Sequence, residues 1–377
     1  MSAAEELPSF FRRNGLHTQD AKTCYAFAAE RFPSQSKQSS AQQGGCSFTL
    51  VAEELGCERV DRATEQDDAA DDKTIIQFRL LKHAIPVNMA QAASRIYSPL
   101  APKTRELGQI TVGNGVFLQA CAMSCIPGER FSDLQPRTPD LDASTLERYK
   151  VFLRHVSTFF AKNWHAGQKY SPALPAFTGR VGRSLLFRLG SLERHLPSEA
   201  LRQRARQTRD AVAAGALDLV PVVLTHGDFI PSNIHVDKVC WTVKGFVDWA
   251  EAEYLSTGNC LYGIEHLLGY MEVEDARGPR FVYYKQAEQL RKAFWTAYEQ
   301  QVPELAESEI RASMMLARDV GIFLWHGFAW DGGNIDRVVN PEDDAEELAY
   351  LEAFLGLDSA LARHDSVMGG YSPSLSV

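Results

Sequence analysis

The segment Leu224-Thr225-His226-Gly227-Asp228, followed by Asn233 and later by Asp248, gathers the side chains of this chain best suited to chemistry. The pattern is H-G-D-x4-N, then an aspartate closing the apolar run Gly245-Phe246-Val247. Pro231 closes a tight loop between Asp228 and Asn233 and turns both side chains towards one cavity. Ile234-His235-Val236 reads as a strand able to pair with the run that ends at Asp248, which brings Asp248 back beside Asn233. One carboxylate is then free to hold a hydroxyl, while an amide and a second carboxylate can hold Mg²⁺. That ion takes few protein oxygens and leaves the rest of its shell to water and phosphate. Such a grouping suits phosphoryl transfer, which needs an aligned acceptor, bridged phosphates and neutralised charge. His-Gly-Asp alone fits any turn; the offset asparagine, the strand and the second aspartate make it specific.

Two sets of elements must position these residues. Over the first 128 residues the pattern predicts a helix ending at Phe32, strands at 46–52, 74–81, 109–112 and 116–123, and a helix at 87–97. Gly113-Asn114-Gly115 joins the last two strands as a tight turn. The polar stretch 34–43 and the acid-rich stretch 61–73 read as loops. From Ser144 onward helices dominate, notably 146–164 and 199–214, with a β island at 222–249 and a mostly helical remainder. The expected layout is an N-terminal helix and loop (1–40), a β-rich N-lobe (41–125), a helical C-lobe (126–362) and a flexible tail (363–377).

Composition narrows the classes. Of 377 residues, 45% are hydrophobic and 23% charged, as in a folded globular chain. A net charge of −9 offers no bulk attraction to nucleic acid or to an anionic membrane. No apolar run approaches the roughly 18 residues that a spanning helix needs, and no signal-like N-terminus is visible. Seven scattered cysteines without a CxxC pair read as free thiols in a reducing cytoplasm. Oligomeric state is left open.

The HGDxxxxN segment and Val247-Asp248-Trp249-Ala250-Glu251-Ala252-Glu253-Tyr254 resemble the catalytic and metal loops of the aminoglycoside phosphotransferase/choline kinase-like family, in particular a fungal-type phosphotransferase branch. The resemblance implies an α+β, two-lobed protein-kinase-like fold with ATP and Mg²⁺ in the cleft and a small-molecule hydroxyl as acceptor. It implies that Asp228 is the catalytic aspartate, His226 the motif histidine that orients the loop, and Asn233 and Asp248 the metal ligands. The backbone of 124–126, from Ser124 to Ile126, would bind adenine.

A kinase-like fold uses a basic residue on the third strand to hold phosphates. Here the candidate is Arg79, with Lys82 just beyond; a strand-end arginine reaching solvent is the alternative. No acidic residue lies between Lys73 and Arg105 to pair with it locally, and Asn88 or Gln91 would be neutral substitutes. Gly44, Gly45 and Ser47 form an abbreviated phosphate-covering loop, or an ordinary turn. For the acceptor, Glu251, Glu253, Trp325 and Asp331 combine carboxylates with an aromatic face, as a cationic amino-bearing substrate would require. Packing is the competing account, with Trp325 in a terminal helix and Asp331 in its closing turn. The function expected is transfer of the γ-phosphate of ATP to a small-molecule hydroxyl. The alternative is a pseudokinase-like binding protein without transfer.

Overall fold

A computed structural model of the chain describes residues 7–33, 37–40, 46–53, 73–167, 181–273, 278–332 and 334–357. Gly44, Gly45, most of the acid-rich stretch and the 363–377 tail lie outside the described residues. The chain divides into two units, Met1–Phe131 with Ser232–Ala252, and Ser132–Pro231 with Glu253–Val377.

The first unit is built on a five-stranded antiparallel sheet of β1 (Lys37–Ser40), β2 (Ser47–Glu53), β3 (Lys73–Leu80), β4 (Thr104–Val112) and β5 (Val116–Ser124), in the order β1-β2-β3-β5-β4. Side chains alternate between its faces. Phe48, Leu50, Ile76, Phe78, Leu118 and Ala120 are buried on one face, in a core shared with Phe10, Phe11, Cys24 and Ala28 of the helices Ser9–Arg13 and Thr18–Arg31. Asp20 ties those helices to the sheet, accepting from the His17 amide at 2.7 Å and from the Gly113 amide in the β4–β5 turn at 2.6 Å.

The opposite parity is polar yet buried. Register aligns Ser47 with Arg79 and Arg79 with Gln119, and next to them Thr49 with Gln77 and Gln77 with Cys121. Ser47, Thr49, Arg79 and Gln119 are all buried. Polar groups in such a place need partners or a ligand. Gln119 is satisfied by both backbone groups of Ile85, at 2.7 and 3.0 Å, which fixes the chain as it leaves β3. A small sheet of Glu129–Arg130, Ile234–Val236 and Val243–Phe246 completes this unit.

The second unit is mainly helical. The helix Ala143–Ala166 packs on Ala287–Gln301, and Leu185–His195 on Glu199–Ala213. The N-terminus of Ala143–Ala166 is capped by Asp142, whose carboxylate accepts from the Thr145 amide at 2.9 Å. Strands Val222–Thr225 and Glu253–Ser256 pair antiparallel, as do Gly269–Glu272 and Arg280–Tyr283.

Several elements differ from the sequence reading. β1 lies inside the stretch read as a loop, β4 begins at Thr104 rather than at 109, the helix Leu185–His195 and the strand Glu253–Ser256 were not anticipated, and the paired strands Gly269–Glu272 and Arg280–Tyr283 interrupt a region expected to be helical. Among the described residues, no helix is long and apolar enough to cross a membrane.

Candidate active site

In the second unit Asp228 follows Thr225, the last residue of a buried strand, on a loop held from several sides. Gly227 takes a φ of +78°, a left-handed conformation that glycine adopts without strain. His226 is 1% exposed, and its Nδ1 accepts the Asp228 amide at 3.3 Å. Phe229 is buried and stacks on Phe159, with ring centroids 5.4 Å apart, and against Phe160 at 5.2 Å. Aromatic anchoring of the neighbour leaves Asp228 itself half-buried rather than sealed.

In the first unit Asn233 and Asp248 sit on adjoining strand ends. The Val247 amide donates to the Asn233 carbonyl at 2.9 Å, so the hairpin foreseen from the sequence forms and carries both residues to one end of it. Asp248 has φ +61°, a strained conformation for a residue other than glycine and a common mark of functional positions. Its neighbour is fixed from behind. Trp249 stacks on Tyr97 at 5.0 Å, and its ring nitrogen donates to the Phe246 carbonyl at 2.9 Å.

Arg79 reaches this same end. Its Nη2 donates to Asp248 Oδ1 at 2.8 Å and its Nε to Gln77 Oε1 at 3.2 Å. The guanidinium is therefore buried among polar partners, not extended into solvent as a strand-end arginine would be. The missing local acid is replaced by Asp248. Gln91 instead donates to the Thr104 carbonyl at 3.4 Å.

Cys46 lies within the electrostatic reach of Arg79, Asp248 and Glu251. Burial, only partly offset by Arg79, pushes its thiol pKa up. Ser47 is buried, its hydroxyl 3.2 Å from that of Thr49. Along the 124–126 stretch, the Ser124 amide donates to the Lys103 carbonyl and its hydroxyl accepts from the Lys103 amide. The Ile126 carbonyl lies 3.2 Å from His235 Nδ1.

The acceptor candidates are dispersed. Glu251 is exposed in the first unit. Glu253 belongs to the second unit and is buried, and its two carboxylate oxygens accept from the Val181 amide at 3.0 Å and the Gly182 amide at 2.5 Å. That arrangement commits its charge to a turn. Trp325 lies flat on Tyr262, with centroids 5.4 Å apart and planes 13° off parallel. Asp331 is exposed and held by Arg337 at 2.8 Å, which lowers its carboxyl pKa.

The donors available near Arg79 are hard oxygens. Among the described residues no group of three or more His, Cys, Asp or Glu side chains gathers as a metal site. Asn233 and Asp248 alone fit an ion whose remaining ligands come from phosphate and water, which is the habit of Mg²⁺ rather than of zinc.

The fold is α+β and of the protein-kinase-like class. Residues 84–262 match the family model described as the phosphotransferase enzyme family, which bears out the resemblance read from the sequence at the level of that family. The match contains His226, Asp228, Asn233 and Asp248, and ends at Tyr262. Among solved structures, the chain is similar to an ethanolamine kinase of Plasmodium vivax, with a TM-score of 0.52 and 12% identity over 94% of this chain and 97% of that one. It is also similar to a thermostable mutant of aminoglycoside phosphotransferase APH(4)-Ia in a ternary complex with AMP-PNP and hygromycin B, with a TM-score of 0.50 and 16% identity over 89% and 98%. No curated protein matches the chain. Family match and fold together support small-molecule phosphotransfer.

The Arg79–Asp248 pair and the hydroxyl of Tyr262, described below, were not foreseen. The first joins residues 169 apart. The second joins residues 33 and 35 apart.

Proposed function

We propose that this chain is an ATP- and Mg²⁺-dependent phosphotransferase acting on the hydroxyl of a small, amino-bearing molecule. The observation that carries the reading is Arg79, buried on a polar sheet face and bonded to Asp248 at the end of the hairpin that also bears Asn233. Arg79 supplies a fixed fork for phosphate oxygens. Asn233 and Asp248 would hold Mg²⁺, which when bound neutralises charge on the phosphates.

Asp228 aligns the acceptor hydroxyl and takes its proton as the new oxygen–phosphorus bond forms. The bond from the γ-phosphorus to the β-bridging oxygen breaks, and ADP leaves. General-base assistance of this kind contributes about 10²- to 10⁴-fold. His226 holds the Asp228 amide and so orients the loop.

An amino-bearing acceptor is supported by the similarity to an ethanolamine kinase and by hygromycin B in the other similar structure, since both molecules carry amines and hydroxyls. Glu251, exposed and near Asp248 in the chain, is the carboxylate we assign to the ammonium end. We place the protein in the cytoplasm, where a reducing environment suits seven scattered cysteines without a CxxC pair.

The competing reading, a pseudokinase-like binding protein, is favoured by one observation: Arg79 holds an oxygen of the very carboxylate needed for the metal. Thermal melting with ATP, with and without Mg²⁺, tests the proposal. Nucleotide at about 100 times its Kd adds about 2.7 kcal/mol. A metal-dependent rise in Tm accompanied by ADP formation supports phosphotransfer. A rise without ADP formation over a panel of amino alcohols supports the binding protein.

A further inference from the structure

Tyr262 is buried at the start of the short helix Tyr262–His266, in the second unit. Its hydroxyl accepts the Phe229 amide at 2.9 Å and donates to the Gly227 carbonyl at 3.2 Å. One hydroxyl thus holds the peptide groups on both sides of Asp228. Its ring is locked by Trp325 stacked on it and by T-shaped contacts with His266 and His326. Gly263 makes the approach feasible, because a Cβ there would collide with the carbonyl oxygen and ring of Phe229. Cys260 completes the platform beneath the loop. Burial raises its thiol pKa to about 11, against the opposing pull of the Gly227 and His226 backbone.

We propose that Tyr262 is a positioning residue for the Asp228 loop, acting through its hydroxyl. The proposal rests on the reading of Asp228 as the acceptor-aligning base. His226 and the buried Phe229 ring also hold this loop; the hydroxyl adds a fixed bond to each peptide group flanking Asp228, and a displacement of about 1 Å can cost about 10²-fold in rate.

Tyr262→Phe removes the hydroxyl and keeps the stacked ring. Two measurements on it decide the matter. The first is amide hydrogen exchange at Phe229, which should be slow in the wild type and about tenfold faster in Tyr262→Phe. The second is ADP release from Mg-ATP with ethanolamine as probe acceptor. There kcat should fall about 10- to 100-fold while KM for Mg-ATP stays put, and Tyr262→Phe should add nothing in an Asp228→Asn background. Unchanged kcat in a folded Tyr262→Phe, or additive losses in the double variant, overturns the proposal. So does a wild-type Phe229 amide that exchanges like an exposed loop amide, a result that needs no variant to fold. The two claims separate cleanly. Full turnover by Asp228→Asn would defeat the catalytic reading of Asp228, whereas exchange at Phe229 reports on the hydroxyl clamp regardless of turnover.

Discussion

Arg79 donates to Asp248 across 169 residues of sequence, at 2.8 Å, within one structural unit. The arginine is buried and the aspartate half-exposed, so the pair presents a carboxylate edge to solvent while its cation stays held on the sheet. A triphosphate offers Arg79 a stronger partner than one carboxylate. Exchange of that partner, with Asp248 turning to the metal, is how we expect the site to load. Arg79→Met should therefore weaken Mg-ATP binding by about 10- to 100-fold, since charge-assisted bonds are worth about 1.5–3 kcal/mol. Calorimetric titration of the variant reads this directly. Unchanged affinity would reduce Arg79 to a structural partner of Asp248.

Asp228 and Asp248 should separate in their effects. Asp228→Asn is expected to keep nucleotide binding and to lose turnover by about 10²-fold or more. Asp248→Ala is expected to weaken Mg-ATP binding itself, and to remove most of the difference between ATP with and without Mg²⁺ in a melting experiment. Loss of nucleotide affinity in Asp228→Asn would mean that the two carboxylates share one role.

The strands at 46–52, 74–81 and 116–123 were legible because apolar and β-branched residues are concentrated in them, as in Thr74-Ile75-Ile76-Gln77-Phe78. The helices were legible where apolar spacing was long, as over Ala143–Ala166. β1 was hidden because Lys-Gln-Ser-Ser has no strand preference of its own and is recruited by pairing with β2. The strand pair Gly269–Glu272 and Arg280–Tyr283 was hidden by its aromatic residues, which serve a helix pattern as well as a strand. The H-G-D-x4-N loop was visible because its spacing is local. The ion pair of Arg79 and the clamp of Tyr262 are tertiary, and no local pattern encodes them.

Glu265 anchors a buried charge cluster in the second unit. It accepts from Arg291 at 2.9 Å and from the Tyr283 hydroxyl at 3.0 Å, with Arg318 at 3.5 Å. Burial opposes its ionised form, but the two arginines prevail and hold its pKa low. Glu265→Gln removes the buried charge that Arg291 and Arg318 share and leaves them only Glu288 and Asp319 respectively, each at 2.7–2.8 Å. We expect a loss of about 1–3 kcal/mol, measured by urea unfolding. A loss below about 0.5 kcal/mol would show that solvent reaches the cluster.

A second buried chain predicts acid sensitivity. His266 and His326 face each other at 3.1 Å, and His326 meets Glu347 at 2.6 Å. Burial pushes His326 down to about 3 and His266 well below its usual value. Burial, with Asp344 adding, raises Glu347 to about 7. Below about pH 6.5 the unfolded chain takes up two histidine protons that the folded chain refuses, which costs stability as pH falls. Between the ordinary glutamate range and about pH 7 the folded chain holds one extra proton on Glu347, which offsets part of that loss. Tm should fall from pH 6.5 to 5, and Glu347→Gln should fall more steeply, by less than one proton's worth because Glu347 is partly solvated. A flat profile in both proteins would contradict neutral buried histidines.

The most direct test follows label from [γ-32P]ATP in the presence of Mg²⁺ and an amino alcohol such as ethanolamine. Our account predicts that the label moves to the acceptor's hydroxyl oxygen in step with ADP formation, and that transfer is lost in Asp228→Asn. Metal-dependent nucleotide binding with label that never leaves ATP, across amino-bearing and neutral alcohols alike, would contradict it.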